Sequence, residues 1–164
     1  MQEKSFINNK KNNNFISIDP GSKKHAYAVF INNELREYNY FETDNLEYFT
    51  NLINNYNITI VYLEDVFISV NAIKYINAFK MIKSQIRLKT WLDDILHIDY
   101  KLINNSSWLN YLLKQSNNNH IKLNKKEKYN IIRELINNKY NLKLKQKDND
   151  LVAAIGIGNF IIGK

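Results

Sequence analysis

Several residue types and sequence features are missing from this chain, and each absence argues against a class of protein. The 164 residues include no cysteine, which excludes disulfides and thiolate-bound metal sites. No apolar run approaches the roughly 18 residues that a membrane-spanning helix needs. There is neither a Gly-rich phosphate loop nor a Gly-x-Ser-x-Gly elbow, which argues against P-loop nucleotide binding and serine hydrolysis. No apolar segment follows the polar first residues, so we predict no secretion signal and an intracellular protein.

The residues that are present predict one basic globular domain. Hydrophobic residues make up 45% and aromatic residues 13% of the chain, which is enough to bury a core. Residues 1–14 are polar and rich in Lys and Asn, and we predict a flexible basic extension there, followed by one domain with a single core over residues 15–164. The net charge of +7 favours a nucleic-acid partner, because a basic surface attracts phosphates regardless of sequence.

The hydrophobic pattern predicts an α/β fold, a five-stranded mixed sheet flanked by helices. Three strands joined by hairpins come first, one hairpin turning at Asn32-Asn33, and parallel strands alternating with helices follow. The predicted strands are Phe15–Asp19, Tyr27–Ile31, Leu35–Phe41, Ile58–Leu63 and Ile98–Ile103. Five helices are predicted. The first follows Asp44 as its N-cap, the second covers residues 72–92, and the third covers 108–113. The fourth begins at Asn124, and the fifth covers 151–162. Gly156 and Gly158 predict a close approach of the last helix to the sheet.

Four acidic residues stand where the predicted strands end or the last helix begins. Asp19 ends the first strand, Glu64 ends the central strand, and Asp148 and Asp150 precede the last helix. Because the carboxyl ends of neighbouring strands share one crevice, we expect carboxylates from both strands to meet there. Their mutual repulsion calls for cations, and hard oxygen ligands suit Mg²⁺ or Mn²⁺. Taken singly, each acid fits an ordinary turn, strand end or N-cap, and the pattern leaves open whether Asp148 or Asp150 binds metal.

Three segments resemble, in the same order, motifs of RuvC-type Holliday junction resolvases, which belong to the RNase H-like superfamily. The segments are Ile16–Ser22, Leu63–Phe67 with Asn71-Ala72 after it, and Asn149–Gly156. Lys126 matches a Lys that is typical of the start of the penultimate helix. The resemblance extends from about Phe15 to Phe160, which is nearly the whole chain.

The resemblance implies an RNase H-like nuclease domain over residues 15–164 that forms a homodimer and resolves four-way DNA junctions by two-metal phosphodiester hydrolysis. It implies Mg²⁺ as cofactor, with Mn²⁺ able to substitute, and neither a small-molecule cofactor nor a membrane partner. Asp19, Glu64 and Asp150 would be catalytic metal ligands, and Lys126 would contact phosphate or the transition state. Phe67 would stack on bases near the junction centre, although a core or interface position is an equal alternative.

One position departs from the resolvase pattern. Aligned on Ala154–Gly158, Asp150 matches the first acid of the last motif, and Ala153 stands where the essential Asp is expected. Ala cannot bind metal, so this reading implies a chain inactivated by an Asp→Ala change, either engineered or natural. A register shifted by three residues would instead make Asp150 the second acid and Lys147 the first. The first reading predicts that Ala153→Asp restores Mg²⁺-dependent cleavage.

Other residues allow more than one interpretation. Lys74, Lys83 and Arg87 on the predicted long helix could face DNA or form a solvated surface. Trp91 and Trp108 lie among apolar neighbours and are predicted core residues, and the three histidines have no zinc-ligand spacing.

Three alternative functions stay open at this point. They are cleavage of an RNA/DNA hybrid, flap or fork by the same chemistry, junction binding without cleavage, and a structural role without preference for branched DNA. The abundance of Asn, Lys and Ile is typical of AT-rich coding, so we expect the cytoplasm of a bacterium or a phage-infected cell, a viral factory or an organelle matrix.

Overall fold

The computed structural model describes residues 13–65, 76–116 and 122–164. The fold is built on one five-stranded sheet with the strand order β3-β2-β1-β4-β5. In the described ranges, no helix is both long and apolar enough to span a bilayer. Of the predicted extension over residues 1–14, residues 1–12 lie outside the described residues, so this part of the predicted domain division stays a prediction.

The first three strands form an antiparallel meander, as predicted. They are β1 (Phe15–Asp19), β2 (Lys24–Ile31) and β3 (Glu34–Glu42). The turn between β2 and β3 is formed by Asn32 and Asn33, whose φ angles of 52° and 68° are positive. Two successive positive φ angles give the hairpin turn that matches strand twist, and Asn tolerates this conformation better than most residues.

Two parallel strands complete the sheet. Strand β4 (Ile60–Asp65) pairs with β1, with Ile18 opposite Leu63, and β5 (Asp99–Asn104) pairs with β4. The carboxyl ends of β1, β4 and β5 therefore lie at one side of the sheet, which we call the carboxyl edge. This arrangement confirms the predicted mixed sheet with flanking helices.

Within residues 13–65, 76–116 and 122–164, five α-helices flank the sheet. They are α1 (Leu46–Asn55), α2 (Ile76–Thr90), α3 (Asn105–Gln115), α4 (Lys125–Tyr140) and α5 (Asn149–Ile162), with a π-helical segment at Trp91–Leu96 and a 3₁₀ turn at Gln146–Asp148. Asn45, not Asp44, caps α1, because its side chain accepts a hydrogen bond from the Tyr48 amide. Asn124 caps α4 as predicted and forms a reciprocal capping box with Glu127.

The sheet divides the buried residues of the domain into two clusters, one on each of its faces. Strand residues alternate between the faces, so Phe15 packs in one cluster with α3, α4 and α5, while Ile16 packs in the other with α1. Helices on both faces of the sheet require both faces to be apolar. Helix α2 leaves large apolar side chains exposed. Ile76, Phe79 and Ile86 are 74%, 60% and 57% exposed, so they do not pack in the core.

Helix α5 runs across the sheet from the carboxyl edge toward the opposite edge. Near its start, the Ser17 hydroxyl donates a 2.6 Å hydrogen bond to the carbonyl of Ala154. Further along, a Cβ added at Gly158 would lie 2.0 Å from the ring of Phe30, whose strand partner is Phe15. The missing side chain at Gly158 thus permits the close helix–sheet approach that the sequence predicts. The first turn of α5 is held beside the end of β1.

Candidate active site at the carboxyl edge

Two carboxylates meet where β1 and β4 end. Asp19 is the last residue of β1, and Glu64 lies one residue beyond the Ile18–Leu63 pair. Both side chains therefore point to the face that α5 covers. They share a hydrogen bond, and burial together with the charge of Glu64 raises the pKa of Asp19 well above its ordinary value. The sequence prediction that these acids converge is met for this pair.

Glu64 is held by two donors from α3. Its Oε1 accepts a 2.9 Å hydrogen bond from Trp108 Nε1 and another from Asn105 Nδ2. Trp108 is a predicted core residue, and Asn105 is not among the predicted site residues. The signal for Asn105 was available, because it directly follows β5 and therefore falls at the carboxyl edge. The indole N–H gave no such signal, since its partner depends on packing between distant segments.

Asp150 lies beside this pair. It is exposed in the first turn of α5, and its charge contributes to the raised pKa of Asp19. Asp148 has a different role, since its carboxylate accepts a 2.8 Å hydrogen bond from the Lys145 amide and closes the 3₁₀ turn. Over the parts of the chain that are described, no three Asp, Glu or His side chains lie close enough together to hold one metal ion. The structure brings Asp19 and Glu64 into contact and leaves Asp150 at their side.

Ala153 lies one helical turn after Asp150 and is fully buried. Asp150 and Ala153 are three residues apart and therefore lie on the same face of α5. The next residue, Ala154, contacts Ser17 of β1 through its carbonyl. Residue 153 is therefore close to the level at which β1 ends. Its methyl group offers no ligand, so the residues present supply two adjacent hard oxygen donors, Asp19 and Glu64, with Asp150 beside them.

A cleft with two lysines adjoins Asp150. It has a volume of about 420 Å³ and is lined by Lys125, Lys126, Tyr129, Gln146, Asn149 and Asp150. Lys126 lines this cleft, and its predicted contact with phosphate stays a prediction, whereas the charge of Lys125 partly offsets the rise in the pKa of Asp19. Tyr129 contacts Trp108 edge-on, and burial followed by the charges of Glu64 and Asp19 raises its pKa. The start of α4 thus places positive charge beside the carboxylates.

The turn after Asp19 is fixed by two side chains. The Gly21 amide donates a 3.3 Å hydrogen bond to Nδ1 of buried His25, and the Ser84 hydroxyl donates a 2.6 Å hydrogen bond to the Gly21 carbonyl. A Cβ at position 21 would lie 2.1 Å from the Lys24 carbonyl oxygen, so the turn requires glycine. Burial lowers the pKa of His25 to about 4, which keeps its ring neutral.

Two of the predicted DNA-binding residues, Lys83 and Arg87, are among the residues that the structure describes. Lys83 and Arg87 are exposed on α2 and line a groove beside the turn after Asp19. Phe67 and Lys74 lie outside the described residues, and their proposed contacts stay predictions.

Comparison with known proteins identifies the fold. No protein-family model and no curated protein matches the sequence. Among solved structures, Thermus thermophilus RuvC matches with a TM-score of 0.60 and 12% identity over 90% of this chain and 92% of that one. T. thermophilus RuvC in complex with Holliday junction substrate gives 0.59 and 12% over 90% and 91%. The yeast mitochondrial Holliday junction resolvase Ydc2 gives 0.57 and 12% over 90% and 78%. The chain has the fold of RuvC-type resolvases, which confirms the predicted RNase H-like architecture.

Proposed function

We propose that this protein is a structure-selective endonuclease that acts on four-way DNA junctions by divalent-metal-assisted hydrolysis of a phosphodiester. The observation that carries the proposal is the contact between Asp19 and Glu64 at adjoining ends of parallel strands, with Asp150 beside them. Two acids that share a hydrogen bond in a buried place repel each other when both are ionised. A divalent cation removes this cost, and hard carboxylate oxygens suit Mg²⁺ or Mn²⁺.

The residues around the pair have distinct parts in this proposal. Asp19 and Glu64 would hold the metal, and Asp150 would be an outer ligand or would orient bound water. Trp108 and Asn105 fix the Glu64 carboxylate through their hydrogen bonds. Lys125 and Lys126 supply positive charge for a bound phosphate. Bound metal would activate a water and stabilise the charge that develops on the leaving oxygen.

Ala153 favours a second candidate, a junction-binding protein that cleaves weakly or not at all. With Ala at this buried position the site lacks the third close carboxylate. In the alternative register, Asp150 itself is the essential acid. Cleavage by the wild type distinguishes the binding protein from the nuclease, and Asp150→Asn then tests the alternative register, because it should abolish that cleavage if Asp150 is the essential acid.

The proposed substrate and assembly rest on charge and on an exposed apolar surface. The net charge of +7 suits DNA, and the structural neighbours include a RuvC solved with its Holliday junction substrate. Ile76, Phe79 and Ile86 of α2 are exposed large apolar side chains, which a second copy of the chain would cover in the proposed homodimer. Phe67 would stack on bases near the junction centre.

The test compares four substrates under identical conditions. Labelled four-way junction, RNA/DNA hybrid, flap and linear duplex are incubated with the protein in EDTA, Mg²⁺ or Mn²⁺, and both binding and cleavage are measured. We expect preferential binding of the junction, and metal-dependent incision that Asp19→Asn or Glu64→Gln abolishes. Equal affinity for linear and branched duplex, together with absent cleavage by wild type and by Ala153→Asp, would overturn the proposal.

A further inference from the structure

A basic groove lies next to the candidate active site. It has a volume of about 480 Å³ and runs between α2 and the segments that follow β1 and β3. The residues lining it are Ser22, Lys23, Glu42, Thr43, Asp44, Lys80, Lys83, Ser84 and Arg87. None of the acids at the carboxyl edge lines it, so it is separate from the carboxylate pair.

The charges of the groove favour an anion. Lys23, Lys80, Lys83 and Arg87 give four positive charges, and the two acids that line the groove leave an excess of two. The three cations from α2 are spaced by three and four residues, so they project from one side of the helix. The ion pair found among the described side chains joins Arg36 to Glu34, away from this groove. The cations here are therefore free of acidic partners within the described structure.

The groove is fixed in position relative to Asp19. Ser84, which lines it, donates its hydroxyl to the Gly21 carbonyl at 2.6 Å and so ties α2 to the turn after β1. Ser22 is three residues beyond Asp19, and an extended chain reaches about 11 Å over that length. This reach is an upper limit, and because successive phosphates of one duplex strand rise about 3.4 Å along the axis, it spans at most about three nucleotides.

We infer that this groove binds the DNA backbone at phosphates within about three nucleotides of the phosphodiester held at Asp19 and Glu64. The inference rests on the proposed function for the identity of the polyanion. Lys83 and Arg87 are the main contacts, with Lys23 and Lys80 flanking them. Contacts of this kind set the register of the strand over the carboxylates and do not read its sequence.

The first test is the salt dependence of junction binding, measured by fluorescence anisotropy in EDTA. For Lys83→Gln/Arg87→Gln we expect the slope of log K against log salt to become shallower by about 2, since each lost phosphate contact removes about 0.9. The matched control is Lys101→Gln/Lys114→Gln, which removes two exposed lysines of β5 and α3 and should leave the slope close to that of wild type. Thermal unfolding of both variants establishes that they fold. A slope reduced equally in both double variants, or in neither, contradicts the inference.

The second test locates the contacted phosphates. Single methylphosphonate substitutions, which neutralise one phosphate at a time, are scanned along a junction strand. We expect a few adjacent positions to weaken wild-type binding and to have no further effect on Lys83→Gln/Arg87→Gln. If the same positions weaken the groove variant as strongly as wild type, the groove is not their partner, while junction preference and the proposed function still stand. If wild type shows no preference for the junction, the proposed function fails, and the same scan on linear duplex still decides the groove.

Discussion

Replacing Ala153 by Asp should couple folding to divalent metal. Ala153 is fully buried, one turn after Asp150 and near the end of β1. A carboxylate added there without a cation would be an uncompensated buried charge, which costs about 3–5 kcal/mol. For a chain of this length, 1 kcal/mol shifts the melting temperature by about 2–4 °C, so a loss of about 3 kcal/mol lowers it by about 6–12 °C in EDTA.

Metal should recover most of that loss. If the new carboxylate completes a site with Asp19 and Glu64, ligand at 100 times its Kd adds about 2.7 kcal/mol to the free energy of unfolding. The assay is thermal unfolding by circular dichroism in EDTA, Mg²⁺ and Mn²⁺, followed by junction cleavage under the same conditions. We expect Ala153→Asp to melt lower than wild type in EDTA, to recover by about 5–10 °C with metal, and to gain cleavage.

Ala154→Asp is the matched control, because Ala154 is equally buried but belongs to a different side of α5. It should lose stability with or without metal. A melting temperature of Ala153→Asp that is as low in Mg²⁺ as in EDTA would refute the placement of residue 153 at the metal site. Equal metal rescue of both variants would refute it as well.

Three further predictions follow from the packing around the site. Trp108→Phe removes the indole donor to Glu64, so we expect the free energy of unfolding to fall by about 2 kcal/mol in denaturant titration. Metal affinity, measured by calorimetry, should fall by about tenfold or more. Unchanged metal affinity would count against a positioning role for Trp108. The pKa of His25 is about 4 in the folded protein and 6.5 in the unfolded chain. The contribution of its buried neutral ring to the free energy of unfolding is therefore complete above pH 6.5 and decreases as the pH falls toward 4. Wild type should lose about 2 kcal/mol relative to His25→Gln between pH 6.5 and 5, and a constant difference in urea titrations would contradict this. Gly158→Ala should lower the free energy of unfolding by about 1–3 kcal/mol, because the added Cβ would clash with the Phe30 ring. A melting temperature equal to that of wild type would contradict this, since it would show that α5 can shift to make room.

The sheet and its carboxyl edge could be predicted because they depend on local patterns. Alternating and β-branched runs identify the strands, and their order along the chain places Asp19 and Glu64 at neighbouring ends. The Asn124 cap was predictable for the same reason, since a capping box is a short-range signal.

Features set by contacts between distant segments were not predictable. Nothing local distinguishes an indole that donates to Glu64 from one buried among apolar neighbours, so Trp108 was interpreted only as core. The apolar residues of α2 recur near helical spacing, yet Ile76, Phe79 and Ile86 are exposed, because periodicity does not say whether a partner covers that face of the helix. Lys125 and Lys126 are adjacent at one helix start, and only the geometry shows which charge acts on Asp19.

Binding of Mn²⁺ tests the central claim most directly. The metal is titrated into wild type, Asp19→Asn, Glu64→Gln and Asp99→Asn and followed by electron paramagnetic resonance, with Asp99 as an exposed acid at the start of β5 and away from the carboxyl edge. The account predicts a specific site in wild type and Asp99→Asn that is lost in Asp19→Asn and Glu64→Gln. The same affinity and stoichiometry in all four proteins would contradict a metal centre at Asp19 and Glu64.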